Sequence, residues 1–228
     1  MILKPQQRSF EWTDSLKDLV EPVQVNHPVN GRHYVSPDGV IMTSVTTFLG
    51  QVGDKAALER WYDEVGHEEA ERIKNEASIR GSALHKSMED YLTDSPGWQE
   101  RNKKISLFPQ LKRVADMCLG KIHGQEFALY SNYMNLAGTA DLLAEWKGKL
   151  SIIDWKSSRK LKRLEYIEGY FLQTCIYSMM LQERTGIKAE QLVVVIGTDG
   201  EQKASVFIQD RAKWMPKVLD LVRKHKKN

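Results

Sequence analysis

The spacing of apolar residues changes in the middle of this chain, and that change restricts the folds open to it. From Asp54 to about Thr93, apolar side chains recur mostly at three- and four-residue intervals, which predicts two helices separated near Gly66. From Glu126 onward, the pattern becomes three short apolar-rich runs, which predict strands and end at Trp155. Helices followed by neighbouring strands and further helices favour a mixed α/β fold, with a central mixed β-sheet flanked by helices.

Turn-forming residues define the remaining elements. The three strand-like runs are Glu126 to Tyr130, Thr139 to Trp146 and Lys149 to Trp155, and the turn at Lys147 and Gly148 joins the last two as a hairpin. Elsewhere we predict a hairpin of Arg32 to Val35 with Val40 to Thr43, a helix start at Ser44 to Leu49, a helix over Gln99 to Leu119 interrupted by Pro109, a helix over Arg163 to Arg184, strands at Gln191 to Gly197 and Ala204 to Ile208, and a closing helix from Asp210.

Length and composition favour one domain. The chain has 228 residues, of which 41% are hydrophobic, enough for one good core but short for two independent domains. No apolar run approaches the roughly 18 to 20 residues of a membrane-spanning helix, so we expect no membrane association. The opening segment has no signal-peptide apolar stretch and contains four acids, which favours a cytoplasmic protein. We expect the cell to be a bacterium or a phage-infected host. Two cysteines exclude a disulfide framework and a four-cysteine metal site within one chain.

Basic residues are clustered in two places, although the net charge of +3 is too mild to prove a nucleic-acid partner. The segment 156–163 has five basic residues in eight and no acid, and the chain ends in a second cluster, 223–227. The terminal cluster is typical of a solvated helix end.

An acid and a lysine lie two residues apart at the end of a predicted strand. Because side chains alternate along a strand, Asp154 and Lys156 share one face. The carboxylate can hold a hard divalent cation, and the ammonium can bind a phosphate or polarise a water molecule. The same pair is also common as a surface salt bridge.

Asp141 strengthens the metal hypothesis because it lies on the preceding strand of the predicted hairpin. The register can place it beside Asp154, and two carboxylates at one place are unfavourable without a cation or a shared proton. Gly138, just before it, either permits a close ligand approach or serves as a simple turn glycine.

Five motifs together resemble a known family. They are Gly81 to His85 (G-x-x-x-H), Glu126, Gly138 to Asp141 (G-x-x-D), Asp154 to Lys156 (D-x-K) and Gln173 to Tyr177 (Q-x-x-x-Y). In this order, from about Ser44 to Gly197, they resemble the RecB-type branch of the PD-(D/E)xK nuclease superfamily, and within it the small exonucleases of mitochondria and phages. Together with the length of the chain, this leads us to expect a single nuclease domain over 1–228: an N-terminal extension with a hairpin (1–50), a helical region plus catalytic core (51–208) and a C-terminal basic helix (209–228).

The resemblance also implies a role for each motif residue. His85, Asp141 and Asp154 would be metal ligands, together with the carbonyl oxygen of Trp155. A mixed nitrogen and oxygen site suits Mn²⁺ about as well as Mg²⁺. A lone histidine on a helix is otherwise more often a hydrogen-bonded core or surface residue.

The remaining motif residues would act on the substrate or on the ligands. Lys156 would position the attacking water and stabilise charge on the phosphate, while Gln173 and Tyr177 would orient Lys156 or a DNA phosphate. Glu126 would contact a metal ligand, bind a second metal, or face solvent as an ordinary strand acid.

DNA contacts are expected from cations, hydroxyls and aromatic rings near these motifs. The cations are Arg80, Lys86, Arg159, Lys160, Lys162 and Arg163. Ser44, Thr46 and Thr47 would bind a phosphate at a helix N-terminus or only cap that helix. The stacking candidates are Trp61, Tyr62, Trp155 and Tyr170, of which we favour Trp155.

Three functions fit these residues: an exonuclease that trims DNA ends, including single strands, an endonuclease that needs no end, and a catalytically silent DNA-binding module of the same fold. The resemblance favours a metal-dependent exonuclease, with DNA as partner and a replication or recombination protein as a further one. No Walker-type phosphate loop accompanies it, so we expect a nuclease that stands alone rather than one fused to a helicase.

Overall fold

A computed structural model of the chain describes residues 9–27, 31–53 and 55–226. The strands in these ranges are β1 (Val23–His27), β2 (Gly31–Val35), β3 (Ile41–Ser44), β4 (Leu119–Ser131), β5 (Leu136–Trp146), β6 (Lys149–Ser158), β7 (Gln191–Thr198) and β8 (Ser205–Asp210). The α-helices are α1 (Val45–Val52), α2 (Lys55–Val65), α3 (His67–Leu92), α4 (Trp98–Asn102), α5 (Phe108–Cys118), α6 (Glu168–Thr185) and α7 (Arg211–His225), with a 3₁₀ turn at Leu164–Tyr166 before α6.

The strands form one mixed sheet, as predicted. Its order is β1-β2-β3-β5-β6-β7-β8, and β4 pairs with β5. The hairpin of β5 and β6 is antiparallel, whereas β6 pairs with β7 in parallel because α6 crosses between them. The predicted N-terminal hairpin is formed by β2 and β3, and β3 joins the central sheet by parallel pairing with β5.

Helices cover both faces of the sheet. On one face, α1, α6 and α7 bury a core that includes Ile152, Val194 and Phe171. On the other, α3 and α5 bury a second core that includes Ile153, Val193 and Leu111. The alternation of Ile152 and Ile153 between the two cores follows from the two-residue period of β6.

Local chemistry explains where several helices begin. Ser44 caps α1, since its hydroxyl accepts a hydrogen bond from the Thr47 N–H at 3.0 Å. Asp210 caps α7 in the same way through the Ala212 N–H at 2.8 Å. Pro109 lies in the first turn of α5, where its missing N–H costs nothing. The single interrupted helix predicted over residues 99–119 is therefore two helices.

Other boundaries also differ from the prediction. β4 begins at Leu119 rather than Glu126, and β1 was not predicted. The helix expected from Asp54 is described only from Lys55, because Asp54 lies outside the described residues. Among the described helices, none is both long and apolar enough to cross a membrane.

Candidate active site

A fork between β5 and β6 forms the centre of the candidate site. The two strands pair from Trp146 and Lys149 as far as Leu142 and Ile153, and then diverge toward different neighbours. The next residues at the fork are Asp141 on β5 and Asp154 on β6, as the hairpin register predicted. Asp141 bridges the gap, because its Oδ2 accepts a hydrogen bond from the backbone N–H of Trp155 at 2.8 Å.

Glu126 adds a third carboxylate from β4. Gln125 pairs with Leu142 and Phe127 with Ala140, so Glu126 falls beside Asp141 in the ladder. Its backbone has a φ of +48°, in the left-handed region that side chains other than glycine rarely occupy. Such strained residues cluster at functional sites.

His85 reaches this group of acids from α3. Its Nδ1 lies 3.6 Å from Asp141 Oδ2 and 3.7 Å from Glu126 Oε1. One ligand atom from each of the three residues falls within 4.8 Å of the others, close enough to share one ion. The opposite ring nitrogen, Nε2, donates to the carbonyl oxygen of Trp155 at 2.7 Å. That bond orients the ring and brings together the two groups that the motif resemblance implied as ligands.

The environment of Asp154 also fits a cation. Its Oδ1 accepts a hydrogen bond from Lys156 Nζ at 2.7 Å, but its buried Oδ2 has no hydrogen-bond partner within the described chain. A buried carboxylate oxygen without a partner is costly, and a metal ion or a proton would relieve that cost. The carboxylates of Glu126 and Asp141 and the imidazole of His85 form a donor set suited to a divalent ion such as Mg²⁺ or Mn²⁺, whereas Asp154 is not part of that group and does not line the cleft.

Charge within the fork shifts the pKa values of its groups. Burial alone would lower the pKa of His85, but the carboxylates of Asp141 and Glu126 raise it to about 9. Burial raises the pKa of Asp154 to about 6 against the opposing effect of Lys156. Burial would lower the pKa of Lys156, but Asp154 and Asp141 outweigh it and keep the ammonium charged. Perturbed groups of both signs in one cleft are typical of active sites.

Helix α6 closes the other side of the fork. Gln173 and Tyr177 both line the cleft, and burial raises the pKa of the Tyr177 hydroxyl, which stays neutral. A Cβ at Gly138 would lie 2.9 Å from that hydroxyl, so the close approach that Gly138 permits is to Tyr177. The cleft has a volume of about 430 Å³ and is lined by Arg32, Thr46, Gly81, Ser82, His85, Lys86, Glu89, Glu126, Thr139, Asp141, Lys156, Gln173 and Tyr177.

Comparison with known proteins identifies the family. The profile of the PD-(D/E)XK nuclease superfamily matches residues 56–227, about three quarters of the chain and all of the elements that line the cleft except β2 and α1. The chain belongs to the PD-(D/E)XK nuclease superfamily. The family predicted from the five motifs is therefore confirmed.

The curated relatives within this superfamily share one name. The human mitochondrial genome maintenance exonuclease 1 is 26% identical over 207 residues, which cover 82% of this chain and 60% of the relative. The mouse protein of that name is 24% identical over 187 residues (74% and 54%), and the Xenopus tropicalis protein is 26% identical over 198 residues (80% and 54%). The chain thus spans 54% to 60% of the length of these relatives.

Of the six predicted DNA-binding cations, Lys86 is the one that lines the cleft, and several of the six are paired within the protein. Lys86 lines the cleft and contacts Glu89 and Asp90 at 2.9 and 3.2 Å. Arg80 contacts Asp199 at 3.1 Å and Ser157 at 3.3 Å.

The cations that follow β6 differ in their pairing. Arg159 is paired with Glu76 of α3. Arg163 is 81% exposed on its side chain and lies 3.8 Å from Glu165. Lys160 is exposed and Lys162 half-buried, and neither has an ion pair with another described residue.

Two predicted DNA contacts are wrong: base stacking by the Trp155 ring and phosphate binding by the Ser44 hydroxyl. Trp155 is only 2% exposed and packs in the core beneath α3 and α5, so it cannot stack on a base. The two-residue period that brings Asp154 and Lys156 to one face places Trp155 on the other. Ser44 is 1% exposed and its hydroxyl caps α1, so the capping alternative is the correct one. Thr46, in contrast, is exposed and lines the cleft.

The aromatic candidates outside the core have other partners. Tyr170 lies beside the site, with its ring centroid 5.3 Å from Lys156 Nζ. Tyr62 stacks on His67 and donates to Glu71, and Trp61 packs beside it on α2.

Arg32 is a cleft residue that the sequence reasoning missed. It reaches the cleft only because the N-terminal hairpin pairs with β5, and the apolar pattern gives no signal for that pairing.

Proposed function

We propose that this protein is a divalent-metal-dependent DNA exonuclease that hydrolyses phosphodiester bonds from DNA ends, including those of single strands. The observation that carries the proposal is the convergence of His85, Glu126, Asp141 and Lys156 on one cleft, with the buried Asp154 hydrogen-bonded to Lys156. The relatives named as exonucleases support the reaction class.

The metal would be held by His85, Asp141 and Glu126, with Asp154, whose Oδ2 has no hydrogen-bond partner in the described chain, and the Trp155 carbonyl oxygen next to them. When bound, a divalent ion polarises the phosphate and lowers the pKa of a coordinated water. Asp141 serves a second purpose, because its hydrogen bond to the Trp155 N–H fixes the two strands at the fork. The ligand geometry is therefore set by backbone pairing, which makes it rigid.

Lys156 acts on the reacting phosphate. Its ammonium stays charged, and its hydrogen bond with Asp154 fixes its position at the cleft. From there it orients the attacking water and stabilises the negative charge that grows on the phosphate. Tyr177 and Gln173 offer hydrogen-bond donors from the opposite side, positioned for a phosphate oxygen or for Lys156.

The cleft surroundings favour a polyanion. Arg32, Lys86 and Thr46 lie at the cleft itself, and the basic segment 159–163 leaves directly from the strand that carries Asp154 and Lys156. Contacts to phosphates give affinity that does not depend on base sequence. That property suits an enzyme that removes successive nucleotides.

End-dependence separates an exonuclease from an endonuclease. The test is a time course with end-labelled linear DNA and covalently circular DNA of the same sequence, single- and double-stranded, in Mg²⁺, Mn²⁺ or chelator. We expect mononucleotides or short products from linear single strands with either metal, and no cleavage of the circles. Cleavage of circular single strands would establish the endonuclease alternative. Inactivity toward every substrate, with DNA binding retained, would establish the silent module.

A further inference from the structure

A second cavity lies on the α5 side of the sheet, away from the fork. This groove has a volume of about 620 Å³ and runs between α5 and β8, from the turn at Lys147 to Val206. Its lining consists of Gln110, Arg113, Val114, Met117, Cys118, Trp146, Lys147, Lys203, Ala204 and Val206. None of these described residues lines the candidate active site.

Hydrogen bonds fix the groove at both ends. At one end, the Gln110 amide donates to the backbone carbonyls of Thr198 and Glu201 at 2.9 and 2.8 Å, which ties α5 to the turn before β8. At the other, the Lys147 N–H donates to the Cys118 carbonyl at 2.8 Å, which ties the end of α5 to the β5–β6 turn. The groove is therefore preformed, and a ligand would not bear the cost of opening it.

The charged side chains that line the groove are all positive. Arg113, Lys147 and Lys203 are exposed, and none has an ion pair with any described residue. The described residues that line the groove include no carboxylate. By contrast, Lys112, beside Arg113 on α5, is neutralised by Asp116 at 2.6 Å. The groove thus complements an anionic ligand.

Apolar surface and an open strand edge accompany these charges. Met117 is 68% exposed and Val206 38% exposed, on opposite walls. In the described part of the chain, β8 is the last strand of the sheet and pairs only with β7. An open edge presents backbone N–H and C=O groups that an extended peptide can pair with.

We propose that this groove docks an extended, acidic segment of a partner protein, with apolar side chains against Met117 and Val206 and carboxylates on Arg113, Lys147 and Lys203. A peptide fits better than a nucleic acid, because the strand edge matches a peptide backbone. The one aromatic ring in the lining, Trp146, is fully buried and offers no face for stacking a base. This docking surface is independent of the nuclease chemistry.

The test uses a fluorescein-labelled nine-residue peptide of alternating Asp and Leu, titrated with the full chain and followed by anisotropy. Matched probes replace every Asp by Lys or every Leu by Ser. We expect only the Asp and Leu peptide to bind, and we expect its affinity to fall as the salt concentration rises. Arg113→Glu with Lys203→Glu should weaken it by about tenfold or more. The equally charged control, Lys188→Glu with Arg223→Glu, should leave it unchanged. Met117→Ser should weaken binding without altering its salt dependence.

Each outcome decides the proposal. The proposal would be overturned if the Asp and Leu peptide does not bind. It would also be overturned if the variant Arg113→Glu, Lys203→Glu and the control variant lose affinity for the peptide equally. Displacement of the peptide by a DNA oligonucleotide would also overturn it and make the groove part of a DNA path. Nuclease activity of the Arg113→Glu, Lys203→Glu variant is measured in parallel and should match the parent, so failure of peptide docking and failure of the proposed nuclease are separate results.

Discussion

Asp141 lies between two other carboxylates, Glu126 on β4 and Asp154 on β6. Three acids at neighbouring positions repel one another unless positive charge lies among them. In the metal-free protein, that charge comes from Lys156 and from His85, whose pKa is raised to about 9. A divalent ion would replace the histidine proton, which is why the same residues stabilise the fold without metal and could ligate it when present.

Replacement of His85 separates a ligand from a structural histidine. We expect His85→Ala to bind Mn²⁺ at least about tenfold more weakly and to lose nuclease activity, because one of the donors is removed. Calorimetric metal titration and thermal melting measure the two effects. The control is His123→Ala, which removes a histidine hydrogen-bonded to Thr13 and Ser15 outside the cleft. Parent-like Mn²⁺ affinity together with a much lower melting temperature would assign His85 a structural role instead.

Gly81 lies inside α3, one turn before His85, and lines the cleft. A Cβ there would meet no atom within 4 Å, and its φ is not in the left-handed region. Neither packing nor backbone conformation therefore requires glycine. Gly81→Ala should raise the free energy of unfolding by about 1 kcal/mol, because alanine is the better helix former.

The same substitution should lower kcat/KM for DNA if the substrate approaches the helix at that point. Gly50→Ala in α1 is the matched control, since a Cβ there also meets nothing and Gly50 does not line the cleft. We expect the control to be stabilised with unchanged kcat/KM. Unchanged kcat/KM in Gly81→Ala as well would show that the substrate does not pass over this turn.

At the scale of elements, the segment after β6 is the nearest candidate path for the DNA strand. Reversal of Arg159, Lys160, Lys162 and Arg163 to Glu should weaken DNA binding at every sequence and leave Mn²⁺ affinity unchanged. Affinity for single strands falls with log salt by about 0.7 per phosphate contact, so four contacts would flatten the slope by about 3. Because Arg159 is already paired with Glu76, three contacts and a change of about 2 are expected.

Affinity measured at several salt concentrations gives that slope. The control reverses four cations of the last helix and its end, Lys213, Arg223, Lys224 and Lys226, and should preserve the slope. Equal slopes in the parent and in the variant of the 159–163 segment would instead assign that segment to a solvated surface.

The hairpin of β5 and β6 shows how far the sequence predicts this site. Two apolar runs joined by a turn at Lys147 and Gly148 predicted the strands, and the strand period placed Asp154 and Lys156 on one face. The same period places Trp155 on the face opposite Asp154 and Lys156, and that face is buried beneath α3 and α5. β1 was not predicted, because its alternating pattern contains only two apolar residues, Val23 and Val25, and both are exposed in the sheet.

At the scale of the whole molecule, the site depends on contacts between distant parts of the chain. His85 and Trp155 are 70 residues apart in sequence, and Arg32 reaches the cleft only through the pairing of β3 with β5. Periodicity along the chain carries no information on which elements meet in space. In the sequence, only the motif resemblance links His85 to the acids.

The pH dependence of stability follows from the charge of His85. A group whose pKa is raised on folding, here from about 6.5 to about 9, stabilises the fold below pH 6.5 and loses that contribution as pH rises to 9. In chelator, the melting temperature should therefore fall between pH 6.5 and 9, and fall less in His85→Gln. Saturating Mn²⁺ should oppose the fall in the parent. An equal fall in melting temperature in the parent and in His85→Gln across this pH range would contradict the raised pKa of His85.

The central claim is that the carboxylates at the fork support metal-dependent hydrolysis of DNA. The most direct measurement is the rate of nucleotide release from end-labelled linear single-stranded DNA in Mn²⁺, for the parent and for Asp141→Ala, Asp154→Ala and Lys156→Ala, with Asp116→Ala on α5 as control. We predict that each of the three cleft variants loses at least about a hundredfold in rate while DNA binding is largely retained, and that the control matches the parent. Parent-like turnover by Asp154→Ala, in a preparation shown to be free of contaminating nuclease, would contradict the claim.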